Sequence, residues 1–131
     1  MPENLGVVDG KLTACPDKPN CVSTQAEQLS QKVEPLAMVG DAEQGLKTLK
    51  RIVVSDLGGK IVKEEGLYFH AEFRSRIFRF VDDFECLIVT EAGSPVAHFR
   101  SASRVGHSDL GVNRKRVERV CKLYQQSADK K

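Results

Sequence analysis

Residues 67–74, LYFHAEFR, alternate throughout: Leu67, Phe69, Ala71 and Phe73 are apolar, while Tyr68, His70, Glu72 and Arg74 end in polar groups. A period of two puts these sets on opposite faces of an extended strand, and no helix can bury that pattern. The chain must therefore build a sheet with one apolar and one polar face, and a layer is needed to cover the apolar one.

Amphipathic helices supply that layer. Asp41 can cap a helix over Ala42–Leu57, with Gln44 at the third helical position, and Leu46, Leu49, Ile52, Val53 and Leu57 recur at helical spacing before Gly58-Gly59. A second helix starts near Asn113, with Val117, Val120, Cys121 and Tyr124 on one face, and frays over 127–131. Lys60–Glu64 reads as a strand joined at Glu65-Gly66 to the alternating one. After a bend over Ser75–Asp82, Asp83–Thr90 and Val96–Arg104 form a hairpin around Ala92–Pro95. Residues 1–40 hold four of the five prolines and little periodicity, apart from a short helix expected over Thr24–Lys32. The expected fold is α+β: one antiparallel sheet of about four strands, two helices packed on one face, and an irregular lead-in.

At 131 residues, 40% hydrophobic and 29% charged, the chain suits one ordinary globular domain. We expect a lead-in over 1–40, a core over 41–126 and a frayed tail over 127–131. No apolar run is long enough to span a membrane, and the first residues lack an export signal. The chain as written reads as cytoplasmic, or as exported if a leader was trimmed. No P-loop, dinucleotide fingerprint, G-x-S-x-G or H-E-x-x-H occurs, so no cofactor and no metal are expected. The sequence carries no signal for an oligomeric state.

Charge divides unevenly. The first 66 residues hold eight basic and ten acidic side chains, and the remainder hold twelve basic, eight of them arginine, and eight acidic. Arginine presents a rigid fork suited to carboxylate or phosphate. In HFRSASRVGHSDLGVNRKRVE, Arg100, Arg104, Ser108, Arg114 and Arg116 are candidate ligands for an anion at the start of the second helix, although Asp109 competes for the same donors. A structural alternative pairs these arginines with Asp82, Asp83 and Asp109, pinning the loop to the bend at Arg79–Asp83.

If Val89 pairs with Val96, the register sets Leu87 against His98 and Glu85 against Arg100, on one face with His70, Glu72 and Arg74. Charged outer faces are common in antiparallel sheets, so a solvated face stitched by cross-strand pairs is expected. General acid–base chemistry by His70, His98 and Glu85 is the alternative, and it requires a pocket that desolvates them.

CPDKPNC, Cys15–Cys21, forms a tight loop that a disulfide can close with a gain of roughly 2 kcal/mol. In a reducing compartment both would be free thiols. Cys86 and Cys121 fall on apolar faces and are expected to be buried. The aromatics alternate onto the core side, which gives no stacking platform for nucleic acid.

LGVVDGKLTACPDKPNCVST, FRFVDDFE and HFRSASRVGHSDLGVNRKRVE together resemble an uncharacterised bacterial and plastid family, domain of unknown function 1499. The resemblance covers nearly the whole chain and brings no activity, cofactor or catalytic set. It implies that Cys15, Cys21, Asp82, Asp83, Arg100, Arg104, Asp109, Asn113 and Arg114 belong to the family pattern. Some relatives look exported or membrane-tethered, which suits a Cys15–Cys21 disulfide. The functional expectation is a non-catalytic binding or assembly module that meets an anionic small molecule or acidic protein through its Arg-rich half. The alternatives are a small enzyme on the sheet face and, more weakly, an RNA contact through the last helix.

Overall fold

The structure, a computed structural model, describes residues 5–74, 80–106 and 109–129. Its centre is a six-stranded antiparallel sheet built from β3 (Cys21–Ser23), β4 (Leu36–Ala37), β5 (Lys60–Glu65), β6 (Tyr68–Arg74), β7 (Val81–Glu91) and β8 (Ser94–Ser103). The order is β3-β8-β7-β6-β5, and β4 pairs with β8 beside β3. A separate hairpin joins β1 (Val7–Val8) to β2 (Lys11–Leu12). The sheet is thus wider than the four strands expected, because the lead-in contributes two short strands to its edge and a hairpin of its own. Between Thr24 and Lys32 there is no α-helix, only a 3-10 turn at Leu29–Gln31.

The registers follow from the alternating patterns. Glu85 stands opposite Arg100, Leu87 opposite His98, and Val89 opposite Val96. Ala92 and Gly93 both have positive φ, 52° and 81°, and form a two-residue primed turn, so Ser94 and Pro95 lie in β8 and not in the loop. Val81 and Asp82 are likewise already in β7, while Ser75–Arg79 of the expected bend lie outside the described residues.

Helix α1 (Ala42–Arg51) starts where Asp41 accepts from the Gln44 N–H at 2.8 Å and continues as one wide turn over Ile52–Asp56. Helix α2 spans Val112–Asp129. Leu46, Leu49, Ile52 and Val53 from the first, and Val117, Val120 and Tyr124 from the second, pack against Phe69, Phe73, Phe84 and Phe99. Phe84 sits 5.6 Å from Phe99 and 6.1 Å from Phe73 between ring centroids, the spacing of favourable tilted and edge contacts. Cys86 is fully buried in this core, and Cys121 is partly buried at its margin. No described helix is long and apolar enough to cross a membrane.

The polar face departs most from expectation. Its centre, with His70, Asp83, Glu85, His98 and Arg100, is not solvated, although Arg74 at the end of β6 stays exposed: residues 5–20 fold across it, with Leu12 packed on Tyr68 and Leu87. The Gly6 N–H reaches Glu85 Oε1 at 2.8 Å, and Leu12 N–H reaches the Gln25 side chain at 2.9 Å. A charged sheet face has become an interior.

Candidate functional site

Beneath this cover His70, Asp83, Glu85 and Arg100 are each at most 2% exposed. Ionised groups stranded at such depth would cost several kcal/mol each, so their partners decide what the face can do. Asp83 is enclosed on two sides. Its Oδ1 lies 2.6 Å from His70 Nε2 and accepts from Arg104 Nη2 at 2.9 Å, while its Oδ2 accepts from Arg104 Nε at 2.8 Å. Arg104 also donates to Glu72 at 2.6 Å. Burial alone would raise the Asp83 carboxyl, but the hydrogen bonds from Arg104 and His70 outweigh it and hold the group below its ordinary value. The same contacts, led by the bond to Asp83, raise the Arg104 guanidinium further.

A carboxyl depressed in the folded state adds stability above its unfolded value of about 4 and loses it as pH falls through the folded value. Acid titration is therefore expected to uncover a cooperative loss of stability below about pH 4. Asp83→Asn should flatten that limb, as read by urea midpoints at a series of pH values. An acid limb unchanged in the variant would remove Asp83 as its source.

Glu85 forms the second group. Its Oε1 accepts from Tyr68 Oη at 2.6 Å as well as from Gly6. Burial and the adjoining carboxylate push the Tyr68 phenol well above its ordinary value, so it remains a donor. On its other side Glu85 Oε2 meets Arg100 Nη1 at 3.4 Å. That is the one hydrogen bond of the Arg100 guanidinium among the described residues, and Arg100 Nε is the one buried side-chain polar atom without a partner among them. A guanidinium has five N–H donors, and natural interiors rarely leave such groups unspent.

Arg100 lines a cavity of about 130 Å³ together with Leu5, Pro16, Lys18, Asn20, Asp83, Ala102, Ser103 and Arg104. Three cationic side chains and one carboxylate face it. Its outer wall is the loop closed by the Cys15–Cys21 disulfide, whose Cα atoms are 5.8 Å apart. Gln31 steadies this loop by donating to the Pro16 and Lys18 carbonyls at 2.6 and 3.0 Å.

The remaining candidates are distributed elsewhere. Arg116 and Asp82 pair at 2.9 Å on the helix side of the sheet, where Arg116 also lies 4.6 Å over the Phe73 ring. Asp82 and Asp83 are consecutive in a strand, so they point to opposite faces. Arg104 and Arg116 are thereby separated by the sheet and do not close around one anion. Arg114 donates to the carbonyls of Ser30 and Lys32, both at 2.9 Å. Among the described residues Asp109 has no arginine partner: it accepts from the Gly111 and Asn113 N–H groups and the Asn113 amide at the start of α2. Although burial opposes it, the Asn113 amide and these backbone donors hold its carboxyl below its ordinary value. Its charge offsets the unfavourable placement of Arg114 and Lys115 in that first turn. Ser108 lies outside the described residues.

His98 shows a hydroxyl–imidazole–carboxylate sequence of contacts, with Thr24 Oγ1 2.8 Å from Nδ1 and Glu91 Oε2 2.7 Å from Nε2. Thr24 Oγ1 also accepts from the Phe99 N–H at 3.0 Å and is buried, and neither residue lines the Arg100 cavity. His70 and His98 thus serve separate networks, and Glu85 reaches neither. Among the described residues no cluster of three or more His, Cys, Asp or Glu side chains is arranged to hold a metal ion.

Sequence reasoning assigns Asn20 and Lys18 no role, and it marks Asn113 only as a helix start and a member of the family pattern. Asn113 is fully buried and links α2 to Ser101, Ser103 and the Asn20 carbonyl, fixing the floor on which the cavity rests. Its signal was a lone asparagine in the otherwise basic first turn of α2.

Residues 11–123 match the family model described as Protein of unknown function (DUF1499). The chain belongs to this family. No curated protein and no solved structure matches it. In this DUF1499 member the matched stretch contains the disulfide loop, Lys18, Asn20, Asp83, Arg100 and Arg104, whereas Leu5 lies before it.

Proposed function

We propose that this domain is a non-catalytic binding module that takes a small anion into the cavity between the Cys15–Cys21 loop and the sheet, with Arg100 as its principal donor. The observation that carries this reading is the unspent guanidinium: one 3.4 Å bond to Glu85 and an unpartnered Nε, in a buried arginine that lines a cavity. Lys18 and Arg104 add positive potential at the same opening. The small volume suits an inorganic oxyanion or a single carboxylate or phosphate group, not a nucleotide.

The reading is tested by thermal melting against phosphate, sulfate, acetate and chloride at constant ionic strength. At ten times its Kd an anion stabilises by roughly 1.4 kcal/mol, which raises Tm by about 4 °C or more in a domain of this size. Lys18 is exposed and removable without disturbing the interior, so Lys18→Ala should reduce that rise while leaving the ligand-free Tm in place. A wild-type Tm that stays fixed across the panel would contradict anion binding.

A further inference from the structure

Asp83 is a strange neighbour for an anion, and its bonding pattern states what kind of anion it accepts. A carboxylate offers about four acceptor positions. Three are filled: two on Oδ1 by His70 and Arg104, and one on Oδ2 by Arg104. One position on Oδ2 remains unfilled among the described residues, in a side chain that lines the cavity. These three donor contacts also hold the carboxyl below its ordinary value, so it can accept a proton-bearing group and cannot donate. Across the same cavity wall, Arg100 has N–H donors to spare. The register sets Asp83 against Ala102 and Glu85 against Arg100, so Asp83 and Arg100 are diagonal neighbours about 7–8 Å apart between Cα atoms, within reach of one small ligand.

Unused donors on one side and an unused acceptor on the other do not match a fully deprotonated oxyanion. Such an ion would satisfy Arg100 while pressing a charged oxygen against the Asp83 carboxylate. We propose, resting on the anion-binding reading above, that the cavity selects an oxyanion that carries its own O–H, of which inorganic hydrogen phosphate is the representative, over one that carries none, such as sulfate. The unprotonated oxygens take the Arg100 donors, and the O–H donates to Asp83 Oδ2.

Phosphate and sulfate near pH 8 make the test sharp, since both are then mainly dianions of similar size that differ chiefly in that proton. Isothermal titration of the intact, disulfide-bonded protein with each ion at equal ionic strength should show phosphate binding at least tenfold tighter than sulfate. Equal affinities would overturn the selectivity while leaving the cavity an anion site. Binding of neither ion would overturn the anion-binding reading together with this inference. Asp83→Asn replaces an acceptor by an amide that can also donate, and it should shrink the phosphate preference at least tenfold, mainly by admitting sulfate. A folded Asn variant that keeps the full preference would overturn the role of Asp83, and if that variant does not fold, the wild-type ratio alone decides.

Discussion

Glu85→Ala is expected to lower the unfolding free energy by about 3–5 kcal/mol, because it leaves the buried Arg100 charge uncompensated and removes the acceptor of Tyr68 and Gly6. Such a loss is a large fraction of the stability of a domain this size. The double replacement Glu85→Leu with Arg100→Leu should cost far less, since two apolar side chains of suitable volume remove both charges and their desolvation cost together. Tyr68 then loses its partner, so a residual cost of about 1–3 kcal/mol is expected. Urea denaturation of the two variants reads the difference directly. If the double variant is as unstable as Glu85→Ala, the destabilisation comes from lost packing and not from an orphaned charge. The double variant also separates folding from binding, because it should remain folded and lose the anion response.

Removal of the Cys15–Cys21 bridge is expected to cost about 2 kcal/mol through the entropy of the short loop it closes. It should also weaken anion binding. Pro16 and Lys18 lie between the two cysteines and line the cavity, whereas Asn20 remains anchored because its carbonyl accepts from the Ser103 N–H at 3.0 Å and its amide donates to the Gly106 carbonyl at 2.7 Å. Reduction therefore frees the outer wall and keeps the floor. The Cys15→Ser, Cys21→Ser variant, compared with the oxidised wild type by urea midpoint and phosphate titration, should show both losses. An unchanged midpoint would mean that the Gln31 contacts alone hold the loop. Cys121, pushed up to about 11 by burial and by Glu118, and the fully buried Cys86 are poorly placed to exchange with the bridge.

The readable parts of this fold are those with a period. LYFHAEFR and the hairpin around Ala92-Gly93 contain enough alternation to set the strand register, and with it the Glu85–Arg100 pairing, before any coordinates are known. Asp41 and the leucine spacing did the same for α1. β3 and β4 are two or three residues long, too short for any period, and their place on the β8 edge comes from long-range contacts. β1 and β2 had a signal in Asp9-Gly10, both at positive φ in the structure, a dipeptide typical of tight hairpins.

Burial of the polar face was not legible because alternation tells which residues share a face and not what lies on it. The apolar lead-in residues Leu5, Val7, Val8 and Leu12 needed cover, and of these Leu12 found it against Tyr68 and Leu87. The arginine-rich segment looked like one cluster because its members are close in sequence. A strand and a helix then carried Arg100 and Arg104 to one side of the sheet and Arg116 to the other, while Arg114 turned to the Ser30 and Lys32 carbonyls. Which arginine keeps free donors depends on three-dimensional partners, and no local pattern encodes that.

The most direct test of the central claim observes the Arg100 guanidinium itself. The arginine Nε–H resonance of Arg100 in a ¹H–¹⁵N spectrum, assigned by its disappearance from the Glu85→Leu, Arg100→Leu variant, should shift progressively and saturably as phosphate is added to the wild type. The Nε–H signals of Arg114 and Arg116, engaged elsewhere, should stay in place. An Arg100 resonance that does not move at phosphate concentrations that shift other signals, or a protein whose spectrum ignores phosphate altogether, would contradict the assignment of this cavity as an anion site.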